Sequence, residues 1–416
     1  MTYESFSGRH TATDFLLTEG GSYGHMLHPY DNMSLSFYDL EEIISGMLDA
    51  KFKEVREKID GIAISFSYVN GKIVFARNKT DLSNYGRNAL GIDDIEKKFF
   101  SKPNVSESFT EAAKDIMILM VSIDPKILHS IFLNGKRFVH VEIVYPGTSN
   151  VIEYDSPMLI FHGVSEYDER GNSINDDKRA FDTLSKACSR RQTPKFEIYF
   201  GKRIKLVKTD SSIKKSFIDD LDAIRKISGK ENGKEINLGT WYRKVWNNYL
   251  SESFKRHNLD EDTIERILER IVHKDKKAIT VSELRSMDLE WVLELESTER
   301  DRINRQFSSY FELLFAKLGI TCIKNYTDSS KEKEKYQDRV NSISKRIDSF
   351  LRSLRYDTNV PGTLSTDIEI FKQLGELEAI LPIEGLVFEY KGKTYKITGS
   401  FRYVNHILGR DKYKKI

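Results

Sequence analysis

Between residues 60 and 165, apolar and aromatic positions alternate with polar ones in short runs broken by tight turns. A strand points successive side chains to opposite faces, so this alternation predicts half-buried β-strands. "VNGK" (69–72) and "LNGK" (133–136) place Asn-Gly between such runs, the pair a two-residue hairpin turn prefers. From about residue 210 the period changes. "SSIKKSFIDDLDAIRKIS", "DEDTIERILERIVHK", "TERDRINRQFSSYFELLFAKLG" and "EKYQDRVNSISKRIDSFLRSLRY" space their apolar residues three and four apart behind acidic or Ser/Thr starts, which predicts amphipathic helices. "DLEEIISGMLDAKFKEVREK" (39–58) predicts another, running up to Lys58, and the tryptophans of "GTWYRKVWNNY" and "LEWVLE" fall at helical spacing as core anchors. Alternation returns in "IEGLVFEYKGKTYKITGSF" (383–401), a hairpin around "KGK".

A lone hairpin buries too little surface to be stable. The C-terminal strands are therefore expected to return to the N-terminal sheet, with the helices as an inserted domain. The expected organisation is α+β: residues 1–208 as the first part of a mostly antiparallel sheet domain, 209–378 as an all-α insertion, and 379–416 as the last part of the sheet domain. No internal repeat or low-complexity tract stands out.

Composition narrows the class. The chain has 416 residues, 39% hydrophobic and 31% charged, which suits a globular protein of two or three domains. No apolar run approaches the roughly 18 residues of a transmembrane helix, and "MTYESFSGRHTATDF" lacks the basic start and apolar middle of a signal peptide. The expectation is a monomeric cytoplasmic protein with no membrane partner. Cys188 and Cys322 neither build a disulfide framework nor form a zinc site alone. A net charge of +2 excludes nucleic-acid binding by bulk charge. The basic stretches at 186–208 and 409–416 permit a nucleic-acid partner without demanding one.

Lys58, two residues before Asp60-Gly61, is the candidate nucleophile. A lysine near its ordinary pKa of about 10.4 is protonated; burial or neighbouring cations favour the reactive neutral amine. Arg77 and Lys79 in "FARNK" and Lys391, Lys393 and Lys396 of the C-terminal hairpin are the available cations, and such a cluster also makes a socket for a triphosphate. A surface lysine beside an ordinary Asp-Gly turn explains the same four residues. In "GGSYGHMLHPYDN", His25, His28 and Asp31 include metal-ligating types, but the glycines and His28-Pro29 favour a shaped structural loop or a backbone cradle for phosphate.

Read together, five segments resemble the motifs of the covalent nucleotidyltransferases, the superfamily of ATP-dependent DNA and RNA ligases and mRNA capping enzymes. They are "KIDG" (58–61), "HVEIVYPG" (140–147), "MLIFHGV" (158–164), "IEGLVFEY" (383–390) and "TYKITG" (394–399), in the family's order and over perhaps 190 residues. The chain also resembles large-phage ligase-like proteins that open with a segment like "EGGSYGHMLHPYDN". The resemblance implies a ligase adenylation fold interrupted by the helical domain, and a lysyl-AMP formed on Lys58 from ATP with magnesium or manganese. It implies that Glu57 reads the adenine amine, that Asp60 and Gly61 complete the nucleotide-binding motif, and that Glu142 holds the ribose. Arg77 would contact the ribose or the incoming end, Phe161 would stack on the base, and Lys393 and Lys396 would meet the phosphates. Glu384 and Glu142 would be the metal-side carboxylates.

Some positions depart from the family pattern. Ala63 stands where many ligases carry arginine, which weakens a DNA ligase reading more than an RNA ligase one. Thr398, not lysine, shares a strand face with Lys396. The chain ends about fifteen residues after the last motif, so no OB-like domain is expected. The function expected is an ATP-dependent polynucleotide ligase joining 5′-phosphate to 3′-hydroxyl ends, with RNA ahead of DNA as substrate. An adenylyltransferase for another acceptor and a catalytically inactive nucleotide- or nucleic-acid-binding phage protein are the alternatives.

Overall fold

The structure, a computed structural model, describes residues 26–99, 103–145, 151–154, 156–201, 203–230, 232–354 and 362–413. His25 and the glycines before it lie outside the described residues. Ten strands are present among the described residues: β1 (Val55–Lys58), β2 (Ile62–Val69), β3 (Lys72–Ala76), β4 (Arg137–Val144), β5 (Met158–Tyr167), β6 (Ser173–Asp176), β7 (Glu197–Phe200), β8 (Arg203–Ile204), β9 (Gly385–Tyr390) and β10 (Lys393–Ile397). They form two sheets. The chain divides into two compact units, one built on Ile59–Arg203 and the other on Leu27–Lys58 with the chain from Ile204 onward.

The first unit carries a six-stranded sheet in the order β3-β2-β4-β5-β6, with β7 also on β5. All pairings are antiparallel except β5 with β7. Phe66, Phe75, Val139, Val141 and Phe161 of the sheet share a core with Phe109, Ile116, Ile131 and Phe132 from the helices Pro103–Val121 and Pro125–Phe132. Asn70-Gly71 makes the expected two-residue turn, with φ of 49° and 80° and Val69 paired to Lys72. "LNGK" is different: Leu133 caps the helix Pro125–Phe132 in the left-handed conformation, so this Asn-Gly ends a helix and leads into β4 rather than joining two strands. The apolar run before it reads equally as strand or helix, and packing beneath the sheet decides.

The second unit carries a four-stranded sheet in the order β10-β9-β1-β8. The C-terminal hairpin, turned at Lys391-Gly392, pairs through β9 with β1 and not with the β2–β7 sheet. Val55, Leu386, Phe388, Tyr395 and Ile397 share one core with Trp241, Trp246, Phe311 and Phe315 of the helices Leu238–Arg256 and Arg300–Ser329. That shared core is why the units divide at 58/59 and 203/204, where sequence had suggested 208/209 and 378/379. The helix expected over 39–58 ends earlier. Ser36 and Asp39 form a reciprocal capping box for Phe37–Leu48, Ala50 turns left-handed, and Val55–Lys58 is a strand because its backbone pairs with β9. Among the described residues no helix is long and apolar enough to cross a membrane.

Candidate functional site

In the second unit, strand register decides which side chains meet. Arg56 pairs with Val387, Lys58 with Gly385, and Lys396 with Val387. Paired residues share a face, so Lys58 and Lys396 project from the same face, opposite to the buried Leu386, Phe388, Tyr395 and Ile397. The Lys58 ammonium is ion-paired with the Glu384 carboxylate, and the two side chains are 22% and 14% exposed. Glycine at 385 has a steric cause. A Cβ there would lie 2.4 Å from the Ile397 carbonyl oxygen and 2.9 Å from the Thr398 Cα.

The end of the glycine-rich loop runs beside β10. Lys396 donates its backbone N–H to the Leu27 carbonyl at 3.0 Å, Asn32 donates to the Tyr395 hydroxyl at 2.7 Å, and the Asp31 carboxylate accepts from the His28 N–H at 3.0 Å. The half-buried His28 ring stacks on Tyr30 with centroids 5.0 Å apart. It is held well below the ordinary imidazole pKa, first by burial and then by the charges of Lys396, Arg402 and Lys58. Arg402 pairs with Glu312 at 2.9 Å; burial opposes its charge, and Glu312 together with Tyr30, Tyr403 and Asp367 more than offsets that. A cavity of about 10 Å³ between His28, Tyr30, Glu312, Thr398 and Arg402 has room for about one water. Lys58, Lys396, Arg402 and a neutral His28 thus form a field suited to an anion, with Glu384 on the nucleophile candidate itself.

The first unit holds a second cluster. Ala63 of β2 lies opposite Glu142 of β4, and Glu142 opposite Ile160 of β5. One Glu142 oxygen accepts from the Gly61 N–H at 3.2 Å, and the other is 2.9 Å from His162 Nε2. A Cβ on Gly61 would meet Glu142 Cγ at 2.7 Å, so glycine is what lets the backbone reach the carboxylate. The Arg77 guanidinium bonds the Ala63 carbonyl and lies 5.4 Å from the Phe109 ring centroid. Burial lowers its pKa and Glu142 opposes that. Asp60 is a brace, its carboxylate accepting from the N–H groups of Val151 at 2.6 Å and Ile152 at 3.1 Å.

Several expected residues fall elsewhere. Phe161 is fully buried, its ring stacked on Phe200 at 5.0 Å, so it is a core residue and not a base-stacking one. Glu57 alternates with Lys58 onto the core face of β1, where it acts electrostatically on Tyr336. Lys393 is exposed on the opposite face of β10 from Lys396. Lys391 is 2.5 Å from Asp39, tying the hairpin turn to the helix Phe37–Leu48, and Lys79 bonds Asn172. Arg402, Glu312 and His162 were not singled out from sequence. His162 was within reach, next to Phe161 in a strand whose alternation puts neighbours on opposite faces. Arg402 and Glu312 sit on helices that no local pattern ties to Lys58.

Glu384 and Glu142 belong to different units, and each already holds a cation or donor. Among the described residues no three His, Cys, Asp or Glu side chains converge as a metal set. The donors therefore do not form a protein cage. Glu384, ion-paired with Lys58, is the carboxylate that a magnesium arriving on phosphate oxygens would meet beside that lysine. No family model and no curated protein matches this sequence.

Proposed function

We propose that the chain is an ATP-dependent polynucleotide ligase, with RNA ends as substrate, that works through a lysyl-AMP on Lys58. The observation that carries this reading is the shared sheet face of Lys58 and Lys396, with Glu384 of the Glu-Gly pair on the Lys58 amine. In the first step Lys58, having given up its proton, attacks the α-phosphorus with its nitrogen lone pair. The N–P bond forms, the bond to the bridging oxygen breaks, and pyrophosphate leaves with that electron pair. Glu384 is the neighbouring carboxylate placed to take the proton. Lys396 and Arg402 offset charge on the phosphate oxygens, the contribution that preorganised cations make to such transfers. Magnesium, when bound with the nucleotide, neutralises phosphate charge. In the second step an oxygen of a 5′-phosphate attacks the same phosphorus and Lys58 leaves as the amine. In the third, a 3′-hydroxyl attacks the activated end and expels AMP.

Single-turnover reactions with α-labelled ATP test the reading: label on the protein that chases onto a 5′-phosphorylated RNA and is released as AMP on joining supports it. Label that chases only onto a protein or small-molecule acceptor contradicts the ligase assignment while keeping the lysyl-AMP. No label contradicts both and leaves a nucleotide-binding protein.

A further inference from the structure

The two Asn-Gly turns singled out in the sequence meet at the far end of the six-stranded sheet. Asn70, in the β2–β3 turn, donates its N–H to the Asn134 side-chain oxygen at 2.8 Å, and the two carboxamides face each other at 3.4 Å. A third turn joins them: Asn84, Tyr85 and Gly86 all have positive φ, as do Leu133, Asn134 and Gly135. Positive φ at a residue as bulky as tyrosine is uncommon, and strained positions of this kind cluster at ligand-binding and switch sites. The two loops are in such close contact that a Cβ on Gly135 would lie 2.0 Å from the Tyr85 carbonyl oxygen.

Between these turns is a cavity of about 210 Å³ lined by Asn70, Tyr85, Arg87, Leu133, Asn134 and Lys136. It is smaller than the roughly 300–1,000 Å³ of pockets for drug-sized ligands, the scale of a planar ring. Lys136 Nζ lies 5.6 Å from the centre of the Tyr85 ring. Among the described residues neither Arg87 nor Lys136 has a carboxylate within ion-pair reach, whereas the nearby Arg137 is paired with both Glu166 and Asp177. Two uncompensated cations, an aromatic wall and two carboxamides match the parts of a nucleotide. The amides offer donors and acceptors to a base edge, the ring a stacking or edge contact, and the cations a grip on phosphate.

We propose that this cavity binds one nucleotide, base against Tyr85 and the Asn70–Asn134 pair, phosphate on Arg87 and Lys136. It stands apart from the Glu142 cluster of the same unit: β2 starts beside Gly61 and ends at Val69, eight residues on, roughly 26 Å at the usual rise per strand residue. The site does not depend on chemistry at Lys58.

The test is fluorescence anisotropy of the full chain with a 3′-fluorescein ten-residue oligouridylate, for wild type and Arg87→Ala/Lys136→Ala, across a potassium chloride series. The double variant is expected to bind at least tenfold more weakly, with a salt slope smaller by about 0.7 for the one phosphate of a single strand that both cations grip. Covalent labelling at Lys58 should be unchanged in that variant. Uridine 5′-monophosphate separates the two sources of the ligand. Displacement of the oligonucleotide from wild type but not from the variant marks a free-nucleotide site; no displacement, with the variant's defect intact, marks a site for one unit of a strand. Equal affinity and equal salt slope for variant and wild type overturn the proposal. Photocrosslinking of a 4-thiouridine oligonucleotide to wild type reads the site without any substitution: adducts on the peptides of Tyr85 or Asn134 support it, and adducts confined elsewhere overturn it.

Discussion

Lys58 and Lys396 stand on the same face of the four-stranded sheet, separated only by β9, with Val387 between Arg56 and Lys396 in the register. Lys393, three residues earlier on β10, is on the other face. Lys396→Met is therefore expected to lower the rate of covalent labelling by about a hundredfold, the scale of losing one preorganised charge at a developing anion. Lys393→Met should stay within twofold, and rapid-quench labelling with α-labelled ATP compares them directly.

Gly385 supports that geometry by having no side chain. Gly385→Ala puts a Cβ against the Ile397–Thr398 backbone, and overpacking of this kind costs about 1–3 kcal/mol. Gly163→Ala on β5 meets nothing within 4 Å and should leave stability unchanged or slightly raised. Urea unfolding of the two variants should differ in sign or size accordingly; equal midpoints would remove the close approach as an explanation for Gly385.

His28 reports the charges around it. Because Lys396, Arg402 and Lys58 add to burial in lowering its pKa, Lys396→Met should move the His28 imidazole upward, nearer its ordinary value. The C2-proton shift of His28, followed by NMR between pH 4 and 8, measures this. An unchanged titration would place Lys396 away from the ring.

His140 sits in a buried network, with Nδ1 2.8 Å from the Ser65 hydroxyl and Nε2 3.0 Å from that of Ser165. Burial, with His162 adding, pushes its pKa down to about 3. Below pH 6.5 the unfolded chain binds a proton here that the folded chain refuses, so stability falls as pH drops from 6.5 toward 3, by about 1.4 kcal/mol per unit. Hydrogen exchange of β4 amides should show the loss, and the His140 resonance should not titrate above pH 4.

Phe161 offers a contrast between core and site. Phe161→Ala should destabilise its unit by about 3–5 kcal/mol through the cavity it leaves, while Phe161→Leu retains covalent labelling at temperatures where the variant is folded. A labelling defect in folded Phe161→Leu would return the residue to nucleotide binding.

Local patterns carried much of this in the sequence. Helical periodicity marked Ser211–Lys226 and Glu261–Val272 nearly to their ends, and Asn-Gly and Lys-Gly marked two true hairpins. What local pattern cannot convey is which strand pairs with which. β1 was read as the end of a helix, because its pairing with β9 bridges more than 300 residues of chain, and that pairing sends Glu57 into the core. Phe161 was misplaced for a simpler reason: an aromatic and its neighbour in a strand look alike in sequence, and only the packing beneath the sheet shows that His162, not Phe161, faces Glu142. Arg402 became visible only once the helix Phe401–Tyr413 had returned to His28.

The central claim is tested most directly by incubating the purified chain with α-labelled ATP or GTP and magnesium, without nucleic acid, beside Lys58→Ala, and resolving the products on a denaturing gel. The account predicts acid-labile label from ATP on the wild type and none on Lys58→Ala. Absence of label, or equal label on both proteins, contradicts a covalent lysyl-nucleotide at Lys58.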